Sequence, residues 1–401
     1  MSCSQWSTIE LKECAIFKNG KKIKEDRRKI DGKYNIYGSN GIIGKTDDVL
    51  IDGESIVIGR VGAYCGAIEF SNESSWITDN AISCISKNNT NIKFLYYLLN
   101  TIPLREMAGG SAQPLINQSI LNSVEIKLPS LEEQDKIAAI LSSLDKKIEL
   151  NNEMNKTLEE MAQALFKRWF VDFEFSNEEG KPYKSSGGEM VESEVGMIPK
   201  GWSYGIFSDI SKRIYSGGTP NTKEESYWNG LLPWMSSGET RNSFVTNTEK
   251  SITELGVEKS STKLANKYNT VIASAGQGFT RGQTSLLLID TYVNQSLIVI
   301  DGCEEFELFN YINIKLRYNE LRAISDSHSI RGSLTTKMIS ALGTIIPSIE
   351  ILKKYNSIIK PIIDIIENNI SNTNRLIELR DSLLPKLMSG EITVDNVEID
   401  I

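Results

Sequence analysis

The chain is written twice. The run Val124-Glu125-Ile126-Lys127-Leu128-Pro129-Ser130-Leu131-Glu132 recurs 218 positions later as Leu342-Gly343-Thr344-Ile345-Ile346-Pro347-Ser348-Ile349-Glu350. Ser111-Ala112-Gln113-Pro114 meets Ser329-Ile330-Arg331-Gly332 at the same offset, as do Ile140 and Ile358, Ile148 and Ile366, Asn151 and Asn369, Leu158 and Leu376, and Leu165 and Leu383. A constant offset over this distance means one structural unit built twice, so any fold assigned to one half must serve the other. Upstream the register changes, because Trp6 aligns with Trp202 at an offset of 196. The second copy is therefore expected to carry about 22 extra residues, placed between Gly217-Gly218-Thr219-Pro220 and Glu239. Copy one runs from about Trp6 to Phe175 and copy two from about Ile198 to Val394; between them Ser176 to Gly196 has the composition of a loop with little to bury.

Each copy changes texture once. The front portions hold short β-type runs broken by Gly, Asn and Ser: residues 54–59 and 80–85 in the first, 270–273 and 285–289 in the second. They read as α+β globules. The rear portions carry a helical seam with apolar steps alternating four and three: Ile137, Leu141, Leu144, Ile148, Asn151, Asn155, Leu158, Ala162, Leu165 and Trp169. The second copy answers with Tyr355, Ile359, Ile362, Ile366, Asn369, Thr373, Leu376, Arg380, Leu383 and Leu387. This is a heptad pattern, with asparagine at one equivalent seam position in both helices, where a buried polar residue fixes register at a cost in stability. The two helices are expected to pack on each other, and a helix over residues 131–170 would be about 60 Å long. Pro361 should kink the second helix or mark a fresh start after a short helix over 348–360; Pro385, with Ser389-Gly390, should close it.

Composition bounds the chemistry. The 401 residues amount to two or three domains. A net charge of -8 excludes a chain coated in positive charge, but the acidity is unevenly spread. Residues 1–130 and 196–347 each hold 15 basic and 14 acidic side chains, whereas 131–195 hold 8 and 15 and 348–401 hold 6 and 9. The globules are balanced; helices, linker and tail carry the excess. One local basic cluster, Lys18, Lys21, Lys22, Lys24, Arg27, Arg28 and Lys29, fits either a solvated loop or a phosphate contact. No apolar stretch is long enough for a membrane span and the N-terminus lacks a secretion-signal profile, so the expected location is cytoplasmic. Cys3, Cys14, Cys65, Cys84 and Cys303 include no C-x-x-C pair and are expected as reduced thiols; one histidine, His328, excludes a His-His metal site.

Motifs for catalysis fail one by one. Gly38 to Thr46 resembles a phosphate loop, yet Ser39 stands where the first glycine is required. No dinucleotide fingerprint, amino-methylating tetrapeptide or carboxylate-carboxylate-lysine nuclease cluster occurs, so no catalytic or metal-binding residue is expected. What recurs is Gly-flanked polar loops: Gly59-Arg60-Val61-Gly62, Gly109 to Gln113 with Asn117, Ser274 to Gly282, and His328 to Ser333. Arg, Gln, Asn and Ser read base edges, and glycine admits close backbone approach, although such loops also serve as plain turns.

The order of several motifs around the two copies resembles the specificity subunit of type I restriction-modification enzymes. They are Tyr37 to Gly44, Leu128-Pro129-Ser130-Leu131-Glu132-Glu133-Gln134, Ala164 to Phe170, Ile198-Pro199-Lys200-Gly201-Trp202, Ser216-Gly217-Gly218-Thr219-Pro220 with Tyr227-Trp228-Asn229-Gly230 and Pro233-Trp234, and Leu384 to Gly390. The resemblance implies an α+β fold of two pseudo-repeated α/β target recognition domains joined by two long helices in an antiparallel coiled coil. The expected boundaries are recognition domain one at 1–130, central helix 131–175, linker 176–195, recognition domain two at 196–347, C-terminal helix 348–391 and tail 392–401.

It also implies a non-catalytic subunit that reads a bipartite double-stranded DNA target. DNA contacts are expected from Arg60, Ser111, Gln113, Asn117, Gly218, Thr219, Gln277, Arg281, His328 and Arg331, and the spacer seam from Leu144, Ile148, Asn151, Leu158, Ile362, Ile366, Asn369 and Leu376. Two modification subunits would dock on it and restriction subunits would complete the assembly, with S-adenosylmethionine and ATP bound by those partners and no cofactor here. A rigid spacer suits half-sites near one helical turn apart, about 34 Å, or a related spacing. The first copy lacks a Gly-Gly-Thr-Pro sequence and a Tyr-Trp pair, so its domain should be smaller or differently built. The competing readings are an orphan DNA-binding or scaffold protein and an enzyme with an unrecognised site.

Overall fold

The computed structural model describes residues 6–87, 89–109, 114–276, 278–328 and 332–394. Contacts divide the chain into two units, Met1–Glu149 with Asn374–Ile401, and Leu150–Thr373.

In the first unit the central sheet has the strand order Ala15–Asn19, Ala81–Ser86, Ser55–Gly59, Ile68–Ser71, antiparallel throughout. The strand Ser55–Gly59, with Ile56-Val57-Ile58 at its centre, takes an inner place because both its faces are covered. Ile56 and Ile58 point into a core with Phe94, Leu95, Leu99 and the long-helix residues Ile137 and Leu141. Val57 points to the opposite side, toward Tyr37, Ile51 and Ile77 of a small sheet. That sheet places Tyr34–Gly38 between Gly41–Thr46, antiparallel, and Ser75–Ile77, parallel. A further pair, Ser7–Glu10 with Glu125–Leu128, closes the unit.

The second unit repeats this plan. Its central sheet runs Ser211–Ser216, Leu297–Gly302, Thr270–Ala273, Thr284–Leu287, Phe244–Val245. Trp228–Met235 again lies between an antiparallel strand, Lys250–Ile252, and a parallel one, Thr291–Val293, and Ser203–Ile206 pairs with Gly343–Ile346. Val271 and Val299 face the core between the sheets, while Ile272 and Ile300 face the aromatic core of Phe166, Phe170, Trp202, Phe309 and Tyr355. Burying one such aliphatic side chain contributes about 1.5–3 kcal/mol.

The matched registers relocate the insertion. Ile36 opposite Trp76 corresponds to Trp234 opposite Tyr292, and Ile56 opposite Cys84 to Thr270 opposite Ile300. Twenty positions separate Ile36 from Ile56, against 36 between Trp234 and Thr270. Sixteen of the extra residues therefore fall in 236–269, downstream of the expected place. They supply Phe244–Val245 to the central sheet and Lys263–Ala265 to the small one, so each sheet of the second unit gains an edge strand.

The central helix spans Leu131–Phe166 and ends in a π-type turn, Lys167–Val171; the C-terminal helix spans Ile349–Ser389. Within the second unit Asn151 Nδ2 donates to Thr373 Oγ1 (3.2 Å) and Asn369 Nδ2 to Asn155 Oδ1 (2.9 Å), while Phe166 meets Tyr355 further along. Residue numbers rise along one helix as they fall along the other, so the pair is antiparallel. Because Asn151 is equivalent to Asn369 and Asn155 to Thr373, the two bonds are related by a local two-fold, as at an isologous interface. Inside the first unit Arg380 Nη1 meets Asp145 Oδ1 at 2.7 Å, and Ile137 and Leu141 share a core with Leu387 and Met388, again antiparallel. Every seam position is buried or half-buried.

Expectations at Pro361 and Pro385 and one between the copies are corrected, while the helix does close at Ser389-Gly390. The C-terminal helix passes through Pro361 without a break, because this exposed residue forfeits one hydrogen bond while Ile359, Ile363 and Ile366 hold both flanks in the core. It also continues four residues beyond Pro385, carrying Leu387 and Met388 into the core. The segment after Phe175 does bury side chains: Tyr183 stacks on Phe175 at 4.6 Å, and Met190 and Val191 of the hairpin Met190–Ser193 and Gly196–Pro199 lie against the aromatic core.

Candidate functional site

Four loops meet at one end of each central sheet. In the first unit the strand Ala15–Asn19 runs out into Gly20-Lys21-Lys22, where Gly20 N–H donates to Ala81 O and Lys21 N–H to Ile77 O. Thr78-Asp79-Asn80 leads into the neighbouring strand. Arg60 leaves the inner strand, donates its N–H to Asn80 O and accepts from Ile116 N–H, which ties in the fourth loop at Leu115-Ile116-Asn117. The second unit makes equivalent bonds: Gly218 N–H to Val293 O, Ser274 N–H to Ser296 O, Leu334 N–H to Ser274 O.

This frame gives the first copy a counterpart of Gly-Gly-Thr-Pro after all, in Gly20-Lys21-Lys22-Ile23. The steric demand is shared. A Cβ on Gly20 would lie 2.1 Å from Thr78 O, and one on Gly217 would lie 1.9 Å from Val293 O. A tryptophan fixes the same carbonyl in both units from different strands. Trp76 Nε1 donates to Lys21 O at 2.8 Å from Ser75–Ile77, and Trp234 Nε1 to Gly218 O at 3.3 Å from Trp228–Met235. Sequence reasoning found neither link, since the two strands exchange the residue between them.

The expected contact residues divide by what they do. Arg60 is half-buried, and its Nη1 donates to Asp79 O at 3.3 Å. Thr219 Oγ1 donates to Gln295 Oε1 at 2.5 Å across two of the loops. Asn117 is exposed, and its Oδ1 accepts from Ile120 N–H at 2.9 Å as the N-cap of the short helix Gln118–Asn122. Gly218 is buried against Ser261. Arg281 is turned inward, 7% exposed, with Nη1 on Gly332 O (3.0 Å) and Nη2 on Asp326, so it braces one loop against another. His328 ends the helix Tyr318–His328, and Ser111, Gln113, Gln277 and Arg331 lie outside the described residues.

The electrostatics differ between the units. Lys18, Lys21, Lys22 and Lys24 are exposed around the first site. The rest of that basic segment is tied up internally, Arg27 by Asp48 (2.9 Å), Arg28 by Glu25 (3.5 Å) and Lys29 by Asp47 (2.5 Å). Lys29 and the Lys33 N–H hold the Asp47 carboxyl below its ordinary range. Burial pushes the Cys65 thiol up, so it stays protonated and donates to Arg60 O at 3.3 Å. Burial likewise raises Cys14 to about 11 and raises Cys84, in keeping with reduced thiols; the four cysteines among the described residues are free. No cluster of metal-ligating side chains occurs among the described residues, and none of their helices is long and apolar enough to cross a membrane.

Glycine-framed loops bearing Lys, Arg, Thr and Gln suit a nucleic-acid backbone and base edges. The family model described as the type I restriction modification DNA specificity domain matches residues 3–190 and again 199–378. The chain belongs to this family. A type I specificity subunit is a non-catalytic DNA-recognition component. The chain is 31% identical over 321 residues to the type I restriction enzyme MjaIX specificity subunit of Methanocaldococcus jannaschii, covering 78% of this chain and 72% of the relative. It is 28% identical to the type I restriction enzyme HindI specificity subunit of Haemophilus influenzae, over 70% of this chain and 71% of that one. The crystal structure of a type I restriction-modification system S subunit from M. genitalium shares the fold, with a TM-score of 0.64 and 17% identity over 96% of both chains.

Proposed function

We propose that this specificity subunit reads a split double-stranded DNA target, one half at each four-loop site, and that the paired helices set the interval between the halves. The observation that carries the reading is the frame itself. The same three backbone hydrogen bonds and the same sterically required glycine occur in both units, while the side chains mounted on them differ. A scaffold that repeats while its surface varies suits two half-sites of different sequence.

The helices are further proposed to dock two modification subunits, joined by restriction subunits in the full complex. Ile358 and Ile365 are exposed apolar residues seven positions apart on the C-terminal helix, the spacing at which a partner helix would pack. S-adenosylmethionine and ATP are assigned to those partners. Near-neutral globules, with acidity confined to helices, linker and tail, support a DNA affinity that is completed by a partner's positive surface.

The test compares the purified chain with the chain plus its modification subunit. The chain alone should bind duplex DNA weakly; with the partner it should methylate adenines in a sequence of two fixed parts separated by an unread gap. A continuous methylated sequence, or tight specific binding by the lone chain at physiological salt, would contradict the reading.

A further inference from the structure

The third loop of each frame ends in an aromatic ring that the fold does not use. Between the inner strand and its antiparallel neighbour, the first unit carries Tyr64, 48% exposed, in the turn Gly62–Tyr64, and the second carries Phe279, 82% exposed, between Gly278 and Thr280. A phenylalanine ring in water is costly, and the protein could have placed any polar residue there. Ile30 and Leu231 are as exposed, but they lie outside the four loops and at unmatched places in the two copies.

The backbone beneath Phe279 is held rather than loose. Tyr318 Oη donates to Phe279 O at 2.9 Å, and Arg322 Nη1 donates to Gly278 O at 2.9 Å and to Arg281 O at 3.5 Å. Two side chains, Tyr318 and Arg322, thus fix main-chain atoms on either side of an unpacked ring. In the first unit Tyr64 O accepts from Ala67 N–H, and Gly66 N–H donates to Gly59 O, so that turn is also pinned at its base. A rigid support under a bare aromatic surface lowers the entropic cost of a contact made outside the protein.

We propose that Phe279, and Tyr64 in the matching loop, are wedge residues that enter the base stack at their half-sites, which rests on the reading that these loops face DNA. The fitting ligand is the apolar face of a partly unstacked base pair. Apolar side chains inserted at a base step unstack and kink the duplex, and aromatic rings stack on any base. The frame's lysines, Thr219 and Asn117 suit phosphates and base edges; the rings supply an exposed aromatic face.

The experiment uses the complex with its modification subunits and a duplex bearing the mapped target. 2-Aminopurine is substituted in turn at each position of the half-site assigned to the second unit, leaving out the methylated adenine. The wild type should raise fluorescence at one step. Phe279→Ala should abolish that rise and weaken binding about ten-fold or more, with an unchanged thermal midpoint, and Phe279→Trp should restore both. A duplex pre-opened by a mismatch at that step should recover the binding lost in Phe279→Ala. Tyr64→Ala should act in the same way on the other half only.

Unchanged fluorescence and affinity in Phe279→Ala would overturn the wedge. So would a loss equal on cognate and unrelated DNA, or a loss of complex assembly, which would place the ring in a protein interface. A wild-type complex that does not recognise a split target would instead remove the DNA-facing reading beneath it.

Discussion

Where the first unit places Lys21 and Lys22 on its leading loop, the second places Gly218 and Thr219, under the same backbone hydrogen bond and beside a tryptophan donating to the same carbonyl. Arg60 makes one side-chain hydrogen bond, to Asp79 O, at the first site, whereas Arg281 is braced on Gly332 and Asp326 at the second. One frame thus supports a cationic surface and a neutral polar one. Phosphate attraction should weigh more at the first half-site, and hydrogen bonding and stacking at the second.

The largest effect should come from the part the sites share. Gly20→Val or Gly217→Val drives a side chain into a carbonyl oxygen, which should destabilise that unit by about 1–3 kcal/mol. Methylation mapping should then show degeneracy in one half of the target for each variant, and in opposite halves. Degeneracy of both halves from one substitution would break the claim that the frames act separately.

The arginines should separate next. Arg281→Gln leaves Gly332 O without its partner, and denaturant unfolding should show a loss of about 1–3 kcal/mol; the Asp326 pairing adds little because that carboxylate is more than half exposed. Arg60→Gln should leave stability within about 0.5 kcal/mol and reduce DNA affinity. An inverted result would mean that the roles of the two residues are exchanged.

The smallest effect sharpens the charge difference. Lys21→Gln with Lys22→Gln should lower the slope of log affinity against log salt by about 1.8, measured between low and physiological salt. Thr219→Ala should leave the slope unchanged.

Much of this was legible in the sequence, and the reasons are physical. A seam such as Ile137 to Trp169 is a local pattern fixed by helix geometry, so the long helices and their pairing could be read from spacing. The short β-type runs at 54–59 and 270–273 likewise marked strands, because their apolar residues are local in sequence. The insertion at 236–269 was misplaced because strand register depends on partners far away in sequence. The Gly20 loop was missed because its equivalence to Gly217 rests on backbone bonds and a close approach, while the neighbouring side chains differ. Trp76 and Trp234 occupy adjacent strands of the small sheet, which alignment by residue type cannot see. Residue type alone also gave Arg281 to DNA, when burial turns it inward.

The central claim is that each copy reads its own half of the target, and an exchange of segments tests it most directly. Residues 196–347 are replaced by the corresponding segment of a relative with a different target, the complex is assembled with its modification subunits, and the methylated sequence is mapped. The account predicts that one half of the target changes to that of the relative while the other half and the gap between them stay as they were. A change in both halves, or in the gap alone, would contradict it.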